Sequence, residues 1–298
     1  MKASTDFITE IKGYKLWLRR EDQFGEGITG NKYRKLKYNI LQLKKNNNLT
    51  GLITFGGAFS NHLYAPALAG KTHGIKTFGI VRGEEWRSKI TDNPTLTNCL
   101  DYGMKLLFVS RNIYKQKHTS AFWDLINFSP KNLYIIPEGG TNDLAIKGTS
   151  EMLQEEDCKY ESLCCPVGTG GTIAGILKNF NPKQKVIGFS SLNHQGLKKD
   201  VNKLIYPVQW ELINDYTFGG YAKTKPELIS FINNFKKKYS IQLDPIYTGK
   251  MLFGIFDKIK KGKWVWGKNI LIFHTGGLQS IEGFNQRQYQ KGLKCTLI

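Results

Sequence analysis

Seven short β-rich apolar runs are strung along the chain with stretches of helical periodicity between them, and this alternation restricts the fold more than any other feature. The runs are Leu52–Phe55, Thr77–Val81, Lys105–Val109, Leu133–Ile136, Ser162–Val167, Val186–Phe189 and Ile270–Phe273. Strands separated by helices pair in parallel, because each crossover needs room for the helix, so the fold class predicted is α/β with open, mostly parallel sheets. The clearest helix is Lys250–Lys261, where Met251, Leu252, Ile255, Phe256 and Ile259 recur at helical spacing and the lysines are expected on the opposite face. Another runs from Lys32 to about Lys44, with Tyr33, Leu36, Ile40 and Leu43 on one side. Between Asn193 and Tyr221 the pattern is poor, and irregular or bent structure is expected.

At 298 residues the chain exceeds one average domain, yet it shows no internal repeat and no Pro/Ser linker. A second domain is therefore expected as an insertion: residues 50–138, with four of the strands, as a small α/β domain, and residues 1–49 with 139–298 as the larger one. The net charge of +19 raises nucleic acid or a membrane surface as partners. Its make-up argues otherwise, since 36 of the 43 basic residues are Lys and they recur in short clusters such as Lys236-Lys237-Lys238 within amphipathic stretches. No nucleic-acid and no membrane partner is expected. Without an 18-residue apolar window or an apolar core in residues 1–13, the expected location is the cytoplasm. Five cysteines without a CxxC pair and five scattered histidines without HExxH give no metal site.

Chemistry concentrates in glycine-rich turns. Pro166-Val167-Gly168-Thr169-Gly170-Gly171-Thr172 follows an apolar strand and opens a helix. Converging backbone N–H groups, a positive helix end and two threonine hydroxyls suit a phosphate monoester, although such turns also exist only for close packing. The stretch lacks the GK[ST] of a Walker loop, and no acid ends the following strand as a nicotinamide site requires. In Thr29-Gly30-Asn31-Lys32-Tyr33-Arg34-Lys35, a lysine at the positive end of a helix and beside two cations is expected to have its ammonium form disfavoured, against the alternative of ordinary surface lysines. Gly56-Gly57-Ala58-Phe59-Ser60-Asn61-His62 crowds Ser60, Asn61 and His62 at another helix start, where backbone donors suit a carboxylate or phenolate, or where Ser60 is a plain cap. Asp244-Pro245-Ile246-Tyr247-Thr248-Gly249-Lys250 and Phe273-His274-Thr275-Gly276-Gly277 complete the set; taken singly, each reads as a loop.

Together and in this order, REDQFGEGITGNKYRKL, TFGGAFSNH, IPEGGTNDLAIKG, PVGTGGTIAG, LDPIYTGK and IFHTGG resemble the pyridoxal-phosphate enzymes of the 1-aminocyclopropane-1-carboxylate deaminase and D-cysteine desulfhydrase family, across the whole chain. The resemblance implies the two-domain fold type II, related to the tryptophan synthase β subunit, with pyridoxal 5'-phosphate as cofactor and a homodimeric assembly. It implies Lys32 as the amine that condenses with the cofactor, Lys35 at its phosphate and Asn61 at its phenolic oxygen. Gly168, Thr169, Gly170, Gly171 and Thr172 would hold the phosphate. Ser60 and His62 would face the substrate carboxylate or move protons, Tyr247 would contact the amino or leaving group, and Tyr221 would be a second active-site tyrosine. The match is imperfect: Thr29 stands where glycine is common before GNK, and Ala222 ends a GYA where GYG is usual.

Two positions divide the family by chemistry. Ring-opening deaminases typically carry Glu after the DPxY tyrosine and Leu between His and Gly of the last motif, whereas desulfhydrases carry small hydroxyl residues. Here they are Thr248 and Thr275, the latter the expected partner of the pyridine nitrogen. A carboxylate near the pyridine nitrogen keeps the ring protonated and strengthens it as an electron sink, and expulsion of a thiolate demands less of that sink than opening an unactivated ring. The expected activity is α,β-elimination of a small amino acid, D-cysteine, to pyruvate, ammonia and sulfide. The alternatives are ring opening of 1-aminocyclopropane-1-carboxylate to 2-oxobutanoate and ammonia, and, in another class, a non-catalytic cationic binding protein.

Overall fold

The computed structural model describes residues 2–297. Among them, the strands are β1 (Thr5–Ile11), β2 (Tyr14–Arg19), β3 (Gly51–Gly57), β4 (Lys76–Arg82), β5 (Lys105–Val109), β6 (Leu133–Ile136), β7 (Ser162–Val167), β8 (Lys185–Ser190), β9 (Glu211–Ile213) and β10 (Asn269–Phe273). The α-helices are α1 (Asn31–Lys45), α2 (Asn61–His73), α3 (Pro94–Asp101), α4 (Arg111–Lys115), α5 (Phe122–Leu125), α6 (Asp143–Ser150), α7 (Gly171–Asn179), α8 (Leu197–Asn202), α9 (Pro226–Tyr239), α10 (Thr248–Lys260) and α11 (Ser280–Gln290). One sheet has the order β1-β2-β10-β7-β8-β9 and is parallel except for the β1–β2 hairpin. The other, β5-β4-β3-β6, is parallel throughout, and its strands all lie within residues 51–136. Among the described residues no helix is long and apolar enough to cross a membrane.

All seven predicted runs are strands, and β1, β2 and β9 are additional. The hairpin turn rests on Lys12 and Gly13, whose φ values of 51° and 79° supply the left-handed pair that a two-residue turn needs. Both faces of the larger sheet are covered. Leu16, Leu18, Ile187, Phe189, Ile270 and Ile272 pack with residues of α9 and α10, while Leu163, Val167, Leu271 and Phe273 pack with residues of α7. Strands buried on both faces read as continuous apolar runs, which is why β7, β8 and β10 were legible without alternation. The irregular stretch 193–221 holds only α8 and β9 as regular elements. Lys250 departs from the expected polar face of α10, for its side chain is buried at 1% exposure.

Helices α1, α6 and α7 stack in backbone contact. A Cβ on Gly148 of α6 would lie 1.9 Å from the carbonyl oxygen of Arg34, and one on Gly175 of α7 would lie 2.1 Å from Thr149 Oγ1. These approaches leave no room for a methyl group. They fix the start of α1 relative to the start of α7. Gly148→Ala is therefore expected to lower stability by about 1–3 kcal/mol through overpacking, read as a reduced urea midpoint at unchanged slope.

Candidate active site

The C-terminal ends of β3, β6, β7 and β10 carry glycine-rich turns, and α1 begins against the last of them. Asn31 N–H donates to the carbonyl of Thr275 at 3.1 Å, and a Cβ on Gly30, at φ 72°, would lie 2.4 Å from that same oxygen. Only glycine fits this left-handed, backbone-to-backbone approach. It delivers Lys32 to the end of β10.

Lys32 lines a cavity of about 190 Å³ together with Thr29, Tyr64, Ala65 and Leu278. Its Nζ lies 3.4 Å from Asn31 Oδ1, and burial lowers its pKa to about 8, against the opposing pull of the Asp244 charge. The cation at 34 has no part in this. Arg34 turns away, pairs with Glu21 through two hydrogen bonds of 3.0 Å and lies 3.7 Å from the centre of the Phe24 ring. The expectation of a perturbed lysine holds, but desolvation is its main cause.

Lys35 and the PVGTGGT turn form a cup. Helix α7 starts after Gly170, at φ 87°, with no side chain capping its first N–H groups. Around them stand Thr169 Oγ1 and Thr141 Oγ1, 2.7 Å apart, and Thr172 Oγ1, which accepts from Asn31 Nδ2 at 3.0 Å. Lys35 Nζ donates to the Gly139 carbonyl at 2.8 Å, and burial together with the charge of Lys32 pushes its pKa well down. A Cβ on Gly171 would stand 2.6 Å from Thr141 Oγ1 and 3.2 Å from Lys35 Nζ. Uncapped N–H groups, three hydroxyls and an ammonium make a donor set that fits a phosphate dianion.

The three residues at the start of α2 point in different directions. Ser60 Oγ is the helix cap, accepting from His62 N at 3.1 Å and Leu63 N at 3.3 Å. Asn61 Nδ2 would stand 2.9 Å from a Cβ on Gly277, which places the amide beside the Thr275 turn. His62 is buried against β3. Thr54 donates its one hydroxyl proton to the Ile136 carbonyl at 2.9 Å, so His62 Nε2, 2.7 Å away, donates to Thr54 Oγ1. His62 Nδ1 is buried without a hydrogen bond of good geometry, and the Pro137 backbone favours the charged ring only weakly against burial. Burial and the charges of Lys32 and Lys35 keep the ring neutral.

Asp244 accepts hydrogen bonds from the N–H groups of Ile246, Tyr247 and Thr248 at 2.7–2.9 Å and thereby shapes the start of α10. Thr248 Oγ1 is buried with no partner. The Tyr247 ring would stand 3.1 Å from a Cβ on Gly168 and meets Tyr221 edge to face, with ring centres 6.2 Å apart. Lys250 holds the Tyr221 segment from below, donating to the carbonyls of Thr217 at 2.8 Å and Gly220 at 2.7 Å. The residues predicted for the site thus adjoin one another, Ser60 with its hydroxyl turned inward. Sequence reasoning missed Thr54, Thr141 and Lys250; the available signals were a hydroxyl in an apolar strand, a threonine within a quoted motif and a lysine beside the apolar stripe of α10.

The shift at Lys32 carries a sign. Its folded pKa of about 8 lies below the ordinary 10.5, so between those values the unfolded chain binds more protons and folding gains stability as pH rises. In the cofactor-free protein, urea titrations at pH 7.5 and 10 are expected to show wild type gaining on Lys32→Met; a pH-independent difference would make Lys32 an ordinary solvated lysine.

The family model for pyridoxal-phosphate dependent enzymes matches residues 4–276. A Pyrococcus abyssi protein carrying the provisional name 1-aminocyclopropane-1-carboxylate deaminase is 30% identical over 314 residues, covering 95% of this chain and 90% of its own. The mitochondrial bifunctional D-cysteine desulfhydrase/1-aminocyclopropane-1-carboxylate deaminase of Arabidopsis thaliana is 29% identical over 295 residues, covering 89% of this chain and 73% of its own. A crystal structure of a 1-aminocyclopropane-1-carboxylate deaminase homologue superposes with a TM-score of 0.78 at 25% identity, covering 98% of this chain and 93% of that one. A half-buried lysine of lowered pKa at the start of α1, a cup suited to phosphate and a match over nearly the whole chain have one meaning: this chain belongs to the pyridoxal-phosphate dependent enzymes of fold type II, in the 1-aminocyclopropane-1-carboxylate deaminase and D-cysteine desulfhydrase family.

Proposed function

We propose that the protein catalyses α,β-elimination of D-cysteine to pyruvate, ammonia and sulfide. The observation that carries this proposal is the small hydroxyl side chain at two positions, Thr248 and Thr275, where ring-opening members of the family typically hold Glu and Leu. Thr248 Oγ1 is buried with no protein partner, free to bond a group placed beside it. Asp244, the nearby carboxylate, is occupied by three backbone N–H groups.

Lys32 would hold the cofactor covalently, with its phosphate on Gly168, Thr169, Gly170, Gly171, Thr172 and Lys35, its phenolic oxygen at Asn61 and its ring nitrogen at Thr275. Bound there, pyridoxal phosphate supplies an electron sink for charge developing on Cα. The chain's own groups do the rest. Once the substrate's amino group has taken its place, Lys32 would be a free amine, and burial that lowers its pKa to about 8 lets it accept the Cα proton. The Cβ–S bond breaks with its electron pair leaving on sulfur, and the released enamine takes up water to give pyruvate and ammonia. Tyr247, with Tyr221 against its ring, contacts the amino or leaving group. His62, held neutral by burial and by the charges of Lys32 and Lys35, is suited to accepting a hydrogen bond rather than to pairing as a cation with a carboxylate. The proposal extends to a small inserted domain at 50–138, to a homodimer and to a cytoplasmic location, the last supported by five unpaired cysteines.

Purified holoenzyme is expected to show a visible absorption band that Lys32→Ala abolishes, and to release pyruvate and sulfide from D-cysteine but no 2-oxobutanoate from 1-aminocyclopropane-1-carboxylate. Turnover of the cyclopropane alone would select the deaminase reaction instead. A colourless protein that takes up no cofactor would select a binding role.

A further inference from the structure

The Tyr221 side of the cleft carries two guanidinium groups without a task in the elimination just described. Arg287 on α11 is half-buried, its Cζ 3.9 Å from the centre of the Phe59 ring, with Nε donating to the Gly283 carbonyl at 3.3 Å. Arg82, at the end of β4, sets a terminal nitrogen 3.4 Å from where a Cβ on Gly57 would stand, and its Cζ lies 5.6 Å from the Tyr114 ring centre. Gly57 and Phe59 belong to one turn, the segment leading to Ser60 and Asn61, so both arginines border that turn. Both positive charges also bear on the Tyr221 hydroxyl, opposing the burial that raises its pKa.

Among the described residues neither arginine pairs with a carboxylate; the arginine ion pairs there are made by Arg19, Arg20, Arg34 and Arg111. Burying part of a guanidinium without a counter-charge is unfavourable, and stacking on Phe59 offsets only some of that cost. The planar fork matches carboxylate and sulfonate groups, and it stabilises any anion brought between two such groups. We propose that Arg82 and Arg287 form the side-chain subsite of the cleft and select small amino acids whose β-substituent carries negative charge or departs with it. The departing thiolate of cysteine is one such group. This inference rests on the proposed amino-acid site only in taking the turn before Asn61 as the place where substrate lies.

D-aspartate and D-asparagine, equal in size and different in charge, test it by titration of the holoenzyme, with binding followed by the change in visible absorption. D-aspartate is expected to bind about tenfold more tightly, the worth of one charge-assisted hydrogen bond. Arg287→Met and Arg82→Met should each remove most of that preference by weakening D-aspartate far more than D-asparagine, and Arg287→Lys should restore part of it. Arg82 is exposed, so its variant keeps the test open even if Arg287→Met fails to fold. Equal affinities in wild type, or a preference untouched by both variants, would overturn the subsite. Because binding is read directly, loss of D-cysteine turnover with the aspartate preference intact would sink the elimination alone.

Discussion

The close passage of Gly30 beneath the Thr275 carbonyl is the constraint on which the site depends. It joins the first residues of α1 to the turn after β10, and the matching glycines at 148 and 175 join α1 to α6 and α6 to α7. The distance between the Lys32 amine and the anion cup is therefore set by main-chain contacts, which admit no repacking. Side chains then only have to be of the right chemistry. Thr141, Thr169 and Thr172 sit around the cup, and Asn31 serves both sides by donating from α1 to Thr172.

Two lysines of this strongly basic chain, Lys35 and Lys250, are buried and Lys32 is half-buried, and each is treated differently. Lys32 faces a cavity, Lys35 is held by a carbonyl within the cup, and Lys250 is held by two carbonyls of the strained segment before Tyr221. Their burial costs would be hard to rationalise in a protein whose charge served only solubility. The abundant surface lysines and these three obey the same physics; solvent, or its removal, decides between them.

Much of this was legible in the sequence because its strongest signals are local. Parallel strands buried on both faces announce themselves as short apolar runs, and the glycine turns after them mark where backbone donors converge. What could not be read depends on partners far away in the chain. The role of Arg34 was misjudged because its neighbour in space is Glu21 rather than Lys32. Lys250 looked like a surface residue because its acceptors lie some thirty positions earlier. Ala222, a departure from the family's glycine, keeps a left-handed φ of 55°, so the backbone shape survives at a cost of about 1–2 kcal/mol. The hairpin of β1 and β2 was overlooked although its Lys12-Gly13 turn and alternating strand were present.

That hairpin has a consequence for how the molecule is made. β2 pairs with β10, matching Leu16 to Ile270, whereas the four strands of the smaller sheet come from one uninterrupted stretch. On the ribosome the smaller sheet can assemble from strands made one after another, while β1 and β2 wait for β10, which follows every strand of that sheet in the chain. The pocket draws on both sheets, so grip on the vitamin has to wait until β10 has joined β2.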